Sequence, residues 1–152
     1  MAAVRDKKSS AYKTLTKLKP RSNPSISVGI HAAEGSSQHE DDGLSIAELA
    51  EMHEFGLGVP GRPFIRQWFD EGKQDHNKLI EKELERAVMD GKFEQHLTRA
   101  ALGLEASCKQ YISDGTHVTP NAPSTEAQKG SSVPLIDTGV LRASIAGKVE
   151  FG

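Results

Sequence analysis

Three places in this chain hold residue types that can do chemistry. Asp137-Thr138-Gly139, following Leu135-Ile136, is the triplet that an aspartic protease places at its active site. Such an enzyme needs two carboxylates face to face sharing one proton, which a homodimer can assemble from one motif per chain. The retroviral form of that design also needs a substantial β-domain after the motif. Only fifteen residues follow Asp137, and the chain before it reads as mostly helical. The triplet therefore reads as a turn, with Asp137 accepting N–H bonds from the backbone just ahead and Gly139 taking the conformation the turn needs. His53-Glu54 starts like a zinc-protease HExxH motif, but position 57 is Leu57. The six histidines, at 31, 39, 53, 76, 96 and 117, show no ligand spacing. Cys108 is the one cysteine, so neither an intramolecular disulfide nor a cysteine metal cluster can form. It lies in an apolar stripe, as a buried and inert thiol would. No nucleophile, base and orienting group fall together, so the expectation is a protein that is not an enzyme and needs no cofactor.

The elements that would position these residues follow from periodicity. Tyr12, Leu15 and Leu18 predict a helix over 7–19 with one apolar stripe, ending at Lys19-Pro20. Ile26, Val28 and Ile30 alternate within residues 25–31, as in a half-buried strand. Residues 32–44 are rich in Gly, Ser and acids and read as an exposed loop. Ser45 and Glu48 form the two ends of a capping box that opens a short helix, with Ile46, Leu49, Ala50 and His53 on one face. Pro63 suits a helix start, and Phe64, Ile65, Trp68 and Phe69 are the densest apolar cluster, the expected core anchor. Two longer helices are predicted over 73–90 and 93–113; the second carries the cleaner stripe, Leu97, Ala100, Ala101, Leu104, Cys108 and Ile112. Residues 116–136 hold prolines and few large apolar side chains, a long loop of the kind that is functional or ordered by a partner. Asp137-Thr138 then caps a last helical turn before a strand over 144–151. The fold class is α+β, a small antiparallel sheet packed against two longer helices with long loops. Residues 1–22 form a basic N-terminal arm and 23–152 a single domain.

Charge divides the chain more sharply than its net of −2 suggests. Residues 1–21 carry seven Lys or Arg, Lys7, Lys8 and Lys13 among them, against Asp6 alone. Residues 22–61 carry seven acids and no Lys or Arg. A basic arm beside an acidic stretch can meet the acidic stretch of a neighbouring subunit, or it can bind nucleic acid. Tyr12 is the one aromatic among the basic residues, so base stacking has little to work with. No apolar run approaches the roughly 18 residues that span a bilayer, and the N-terminus lacks the apolar core of a secretory signal, so no membrane is expected.

Three stretches in order, SIAELAEMHEFG, VPGRPFIRQWFDE and PNAPSTEAQKGSSVPLIDTGVLRASI, give the chain a further character. Together they resemble a virion-morphogenesis family of long-tailed DNA bacteriophages, the neck or tail-completion proteins of the head–tail junction. The resemblance runs from about Ile26 to Lys148; Gly61 stands where alanine is expected before Arg-Pro-Phe, and Val140 where a polar residue usually follows Asp-Thr-Gly. It implies a protein made in the host cytoplasm and built into the virion as a ring, a hexamer being the expected form. Its partners would be its own copies, the tail tube or terminator, and the head connector, with genomic DNA passing through the lumen without sequence-specific binding. The motif positions that carry over are His53, Glu54, Phe55 and Gly56, then Arg62, Pro63 and Phe64, then Asp137, Thr138, Gly139 and Leu141. Phe55, Phe64 and Leu141 are expected in the core. Interface candidates are Lys7, Lys8, Lys13, Glu51, His53, Glu54, Arg62, Asp137 and Arg142, with Arg62 expected to pair with Glu54 or Glu51. The reading from another class is a small nucleic-acid-binding protein that uses the basic arm.

Overall fold

The computed structural model describes residues 23–36, 43–115 and 139–151. Lys7, Lys8, Lys13 and Asp137, the predicted helix over 7–19 and the predicted loop over 116–136 fall outside these residues. The elements are β1 (Ser25–Gly29), α1 (Ala32–Gly35), α2 (Ile46–Phe55), α3 (Phe64–Asp90), α4 (Phe93–Asp114), α5 (Val140–Ala143) and β2 (Ala146–Glu150). This is an α+β fold in which a two-stranded antiparallel sheet lies against a long helical hairpin.

The hairpin comes first in the physical order. α4 buries Leu97, Ala100, Ala101, Leu104, Cys108 and Ile112, the predicted stripe, and adds His96. α3 is longer than its spacing suggested: it starts at Phe64, directly after Pro63, and runs unbroken through Gly72. Gly72 is tolerated because something fills its place. The His76 ring folds back over it, so near that a Cβ there would lie 2.4 Å from ring atoms. Helical side chains point toward the N-terminus, which is why a residue four positions on covers this site. Gly91 ends α3 with φ 78, a left-handed conformation that glycine adopts without steric cost, and Lys92 leads straight into α4.

The sheet crosses α4 where the helix is thinnest. β1 and β2 pair from Ser25 with Glu150 to Gly29 with Ala146. Gly147 sits on the α4 backbone, and a Cβ added there would come within 2.3 Å of the Ala101 carbonyl oxygen. The Gly147 N–H donates to the Glu105 carboxylate at 2.9 Å, which fixes the strand to the helix. Phe64, Trp68, Ile46, Leu104, Cys108, Ile112, Leu141 and Ile145 form the core between these layers.

Several expectations are corrected. Within residues 32–44, Ala32–Gly35 form one helical turn instead of loop, because Gly35 packs against Ala47 and Glu34 pairs with Lys148 at 2.9 Å. The anchor cluster is split: Phe64 and Trp68 are buried, whereas Phe69 is 55% exposed. Phe55 is also outside the core at 59% exposed, since the last turn of α2 rotates it toward solvent, where the Arg66 guanidinium lies 5.6 Å from the ring centre. The N-cap of α5 is Gly139, at φ 75, with no side-chain cap bond. The glycine of the Asp-Thr-Gly triplet thus takes a left-handed turn conformation.

Gly147→Ala should lower stability by about 1–3 kcal/mol, the usual cost of forcing atoms into a filled site. Denaturant unfolding followed by circular dichroism measures it.

Candidate functional site

Two places stand out as candidate sites, a cluster of buried polar groups and an apolar groove. The first is the hairpin tip. His96 is 3% exposed, and both of its ring nitrogens meet carboxylates: Nδ1 is 2.7 Å from Glu83 Oε2 and Nε2 is 3.1 Å from Asp90 Oδ2. An ionised carboxylate can only accept, so both ring nitrogens donate and the ring is an imidazolium. Glu83 also accepts from Arg86 on its other oxygen, and Asp90 Oδ1 accepts from the Lys92 N–H at 2.9 Å. The bond to Glu83 and then that to Asp90 raise the His96 pKa. The Glu83 carboxyl is held below its ordinary range, first by His96, and the Asp90 carboxyl first by the Lys92 N–H and then by His96. Every strong acceptor here is occupied by a neighbour in the same hairpin, so the arrangement latches a turn. A buried ionic set of this kind is costly to break one member at a time.

The second place is a groove of about 790 Å³ bordered by β1, α2 and α3. Ile26, Val28 and Ile30 form one wall, Ala47, Ala50 and Phe55 an end, and Ile65, Trp68, Phe69 and Ile80 the other wall. Glu51 and Glu54 stand at the α2 side, Arg66 and Lys73 at the α3 side. Two buried polar atoms on its walls, Ser27 Oγ and His76 Nδ1, have no hydrogen-bond partner among the described residues. The His76 ring centre lies 4.4 Å from that of Trp68 with the planes tilted by 43°, and burial pushes the His76 pKa down.

The residues expected to form an interface are placed as follows. Ser45 and Glu48 close the predicted capping box, with Glu48 N–H to Ser45 Oγ at 3.2 Å and Ser45 N–H to Glu48 Oε2 at 2.8 Å. Glu54, at the far end of α2, accepts from the N–H groups of Ile65 and Arg66, both at 3.1 Å. Pro63 has no side-chain oxygen to cap α3, so a carboxylate from the preceding helix does that work and complements the positive helix end. The loop between them is tied by the Arg62 N–H to the His53 carbonyl at 2.6 Å. The Arg62 side chain is 7% exposed, and burial lowers its pKa from the usual guanidinium value. Glu51 is exposed on the groove rim. Arg142 is exposed on α5 and donates to Ser113 Oγ at 2.9 Å, fastening that turn to the end of α4. The structure therefore brings Glu51, His53, Glu54 and Arg62 together around the α2–α3 junction and leaves Arg142 apart. Cys108 is fully buried, and burial pushes its thiol up to about 12.

Among the described residues, no group of three or more His, Cys, Asp or Glu side chains could hold a metal ion. No described helix is long and apolar enough to cross a membrane. Comparison with known proteins finds no matching family, no matching curated protein and no matching solved structure.

The pH behaviour of the latch follows from its signs. His96 binds its proton more tightly folded than unfolded, so its contribution is complete below about pH 6.5 and is lost as pH rises through the raised folded value. Glu83 and Asp90 act oppositely: theirs is present above about pH 4 and lost as pH falls through their lowered values. His76, lowered by burial, opposes folding as the pH drops below about 6.5 in any variant that keeps it. The stability gap between the native chain and His96→Gln should therefore narrow as pH is raised from about 5.5 to about 8.5. Urea midpoints across that range measure the gap, and a constant gap would mean that His96 is not held charged.

Proposed function

We propose that this chain is a structural virion protein of the phage head–tail junction, a neck or tail-completion subunit that works by forming a ring. The single observation that supports this reading is how the first two motifs of the resemblance are used. Ser45–Glu48 starts α2, Glu54 caps α3, and the Arg62 backbone ties back to His53, so stretches far apart in side-chain type serve one rigid corner. A corner of this kind suits a subunit whose surfaces must keep a fixed angle to their neighbours. A closed ring needs two different faces of each subunit to meet around an axis. Leu84, Met89 and Leu102 are exposed apolar side chains on α3 and α4 outside the groove, and they are the contact candidates of the hairpin face. The reading requires no bound cofactor and no turnover.

Native mass spectrometry of the purified chain, with negative-stain images of the same sample, tests ring formation. A single closed oligomer with an open centre is the expected result. Met89→Asp with Leu102→Asp should shift that species to monomer while the circular dichroism spectrum stays unchanged. A wild-type chain that remains monomeric at every concentration, and alongside tail components, would overturn the proposal.

A further inference from the structure

The groove bordered by β1, α2 and α3 is too apolar to be the finished surface of this domain. Phe55 and Phe69, at 59% and 55% exposed, stand at its edges, and Ile26, Val28, Ile30, Ile65 and Ile80 are only partly covered. A continuous patch of this kind marks a surface that something covers. We infer that its occupant is the chain's own N-terminal segment, residues 7–19, seated as a helix with Tyr12, Leu15 and Leu18 turned into the groove. The inference does not depend on the virion reading.

Four observations converge on that occupant. Chain geometry comes first: β1 begins at Ser25 and is itself a wall of the groove, so the segment ending at Lys19 is delivered to the right place by a short connector. A short connector holds its two ends together at an effective concentration of about millimolar or more, which few separate partners match. Pro20 and Pro24 break the helical pattern between the segment and the strand, so the two form separate elements that can fold back on one another.

The second observation is shape. Tyr12, Leu15 and Leu18 recur every third residue and give a narrow apolar stripe, the pattern by which a helix lies in a groove. The third is charge. On a helical wheel Lys7 borders that stripe, while Lys8 and Lys19 lie on the same face and close its two ends; on α2, Glu51 lines the groove and Glu48 is exposed one turn before it. Residues 1–21 hold seven Lys or Arg against one Asp, whereas residues 22–61 hold seven acids and no Lys or Arg. Opposite charges on the two surfaces favour their approach and fix its direction.

The fourth is an unmet polar need. Ser27 Oγ and His76 Nδ1 are buried on the groove walls without a partner among the described residues, and a buried polar group left unpaired is costly. Tyr12 is the one residue of the stripe with a hydroxyl, and its O–H can reach into an apolar site and donate there. The stripe thus supplies both the apolar cover and one hydrogen-bonding group.

The test uses the full chain and its only tryptophan, Trp68, which lines the groove. A nitroxide is attached at Ser10→Cys, on the polar side of the segment. Cys108 is fully buried and does not compete for the label. The expected result is strong quenching of Trp68 emission, unchanged on dilution, and recovery of that emission when Leu15→Asp and Leu18→Asp are added to the labelled chain. A second sample separates the chain's own groove from a neighbour's: nitroxide-labelled Trp68→Phe chain is refolded together with unlabelled native chain. Native emission should stay unquenched in that mixture. Quenching there would overturn the inference by placing the segment in the groove of another copy. Absence of quenching in the labelled chain, or quenching that survives the stripe substitutions, would overturn it by leaving the groove to a different occupant such as a small apolar ligand.

Discussion

The rest of the structure depends on how closely α3 and α4 approach one another. Gly91 and Lys92 alone join them, so the helices must run antiparallel. The contact is made of small residues. Ala87, Ala100 and Ala101 are fully buried, and a Cβ at Gly103 would lie 2.9 Å from Leu79. Small side chains let helix axes come near and leave the larger groups, Trp68, Leu104 and Ile112, to fill one end of the hairpin. The sheet is a consequence of the same row. β2 can lie on α4 because Ala101 presents little more than backbone there and Gly147 presents nothing.

Where the apolar core ends, polar groups take over as fixings. At the hairpin tip Glu83 and His96 occupy positions that would otherwise be core, and each is satisfied by a neighbour. At the other end Glu54 does for α3 what its own N-cap, Pro63, cannot. Trp68 Nε1–H donates to Ser107 Oγ at 3.1 Å, and the Tyr111 hydroxyl donates to Glu71 at 3.0 Å, so the large aromatic side chains also register the two helices. The Tyr111 pKa is raised, by burial first and by Glu71 second. Such bonds contribute little net energy each; what they add is a single register for a hairpin whose small-residue seam would tolerate sliding.

Much of the architecture was legible from local pattern. The capping box at Ser45, the stripe of α4 and the alternation of β1 each follow from a period or a cap that acts within a few residues. Pro63 marked the start of α3, but the unbroken run of that helix through Gly72 was not legible, because Gly72 is covered by the His76 ring from four residues on. Phe55 and Phe69 were misplaced for a related reason: an aromatic side chain near a core helix is core only if another element arrives to cover it. The latch was hidden by distance in the chain. Glu83 and His96 are thirteen residues apart, and only the turn at Gly91 brings them into contact. The groove had no local signal at all, since three elements build its walls. The Asp-Thr-Gly triplet was read correctly at Gly139, where a left-handed turn needs glycine, and the helix cap fell one residue later than its acid and hydroxyl suggested.

Among the described residues, the carboxylates of Glu54, Glu83 and Asp90 serve the protein's own turns and helix ends. The role proposed for the protein is at the junction between phage head and tail. The most direct measurement is electron microscopy of a phage lysate made from a genome lacking only the gene for this chain. Filled heads beside unattached tails are the predicted result. Normal, infectious particles in that lysate would contradict it.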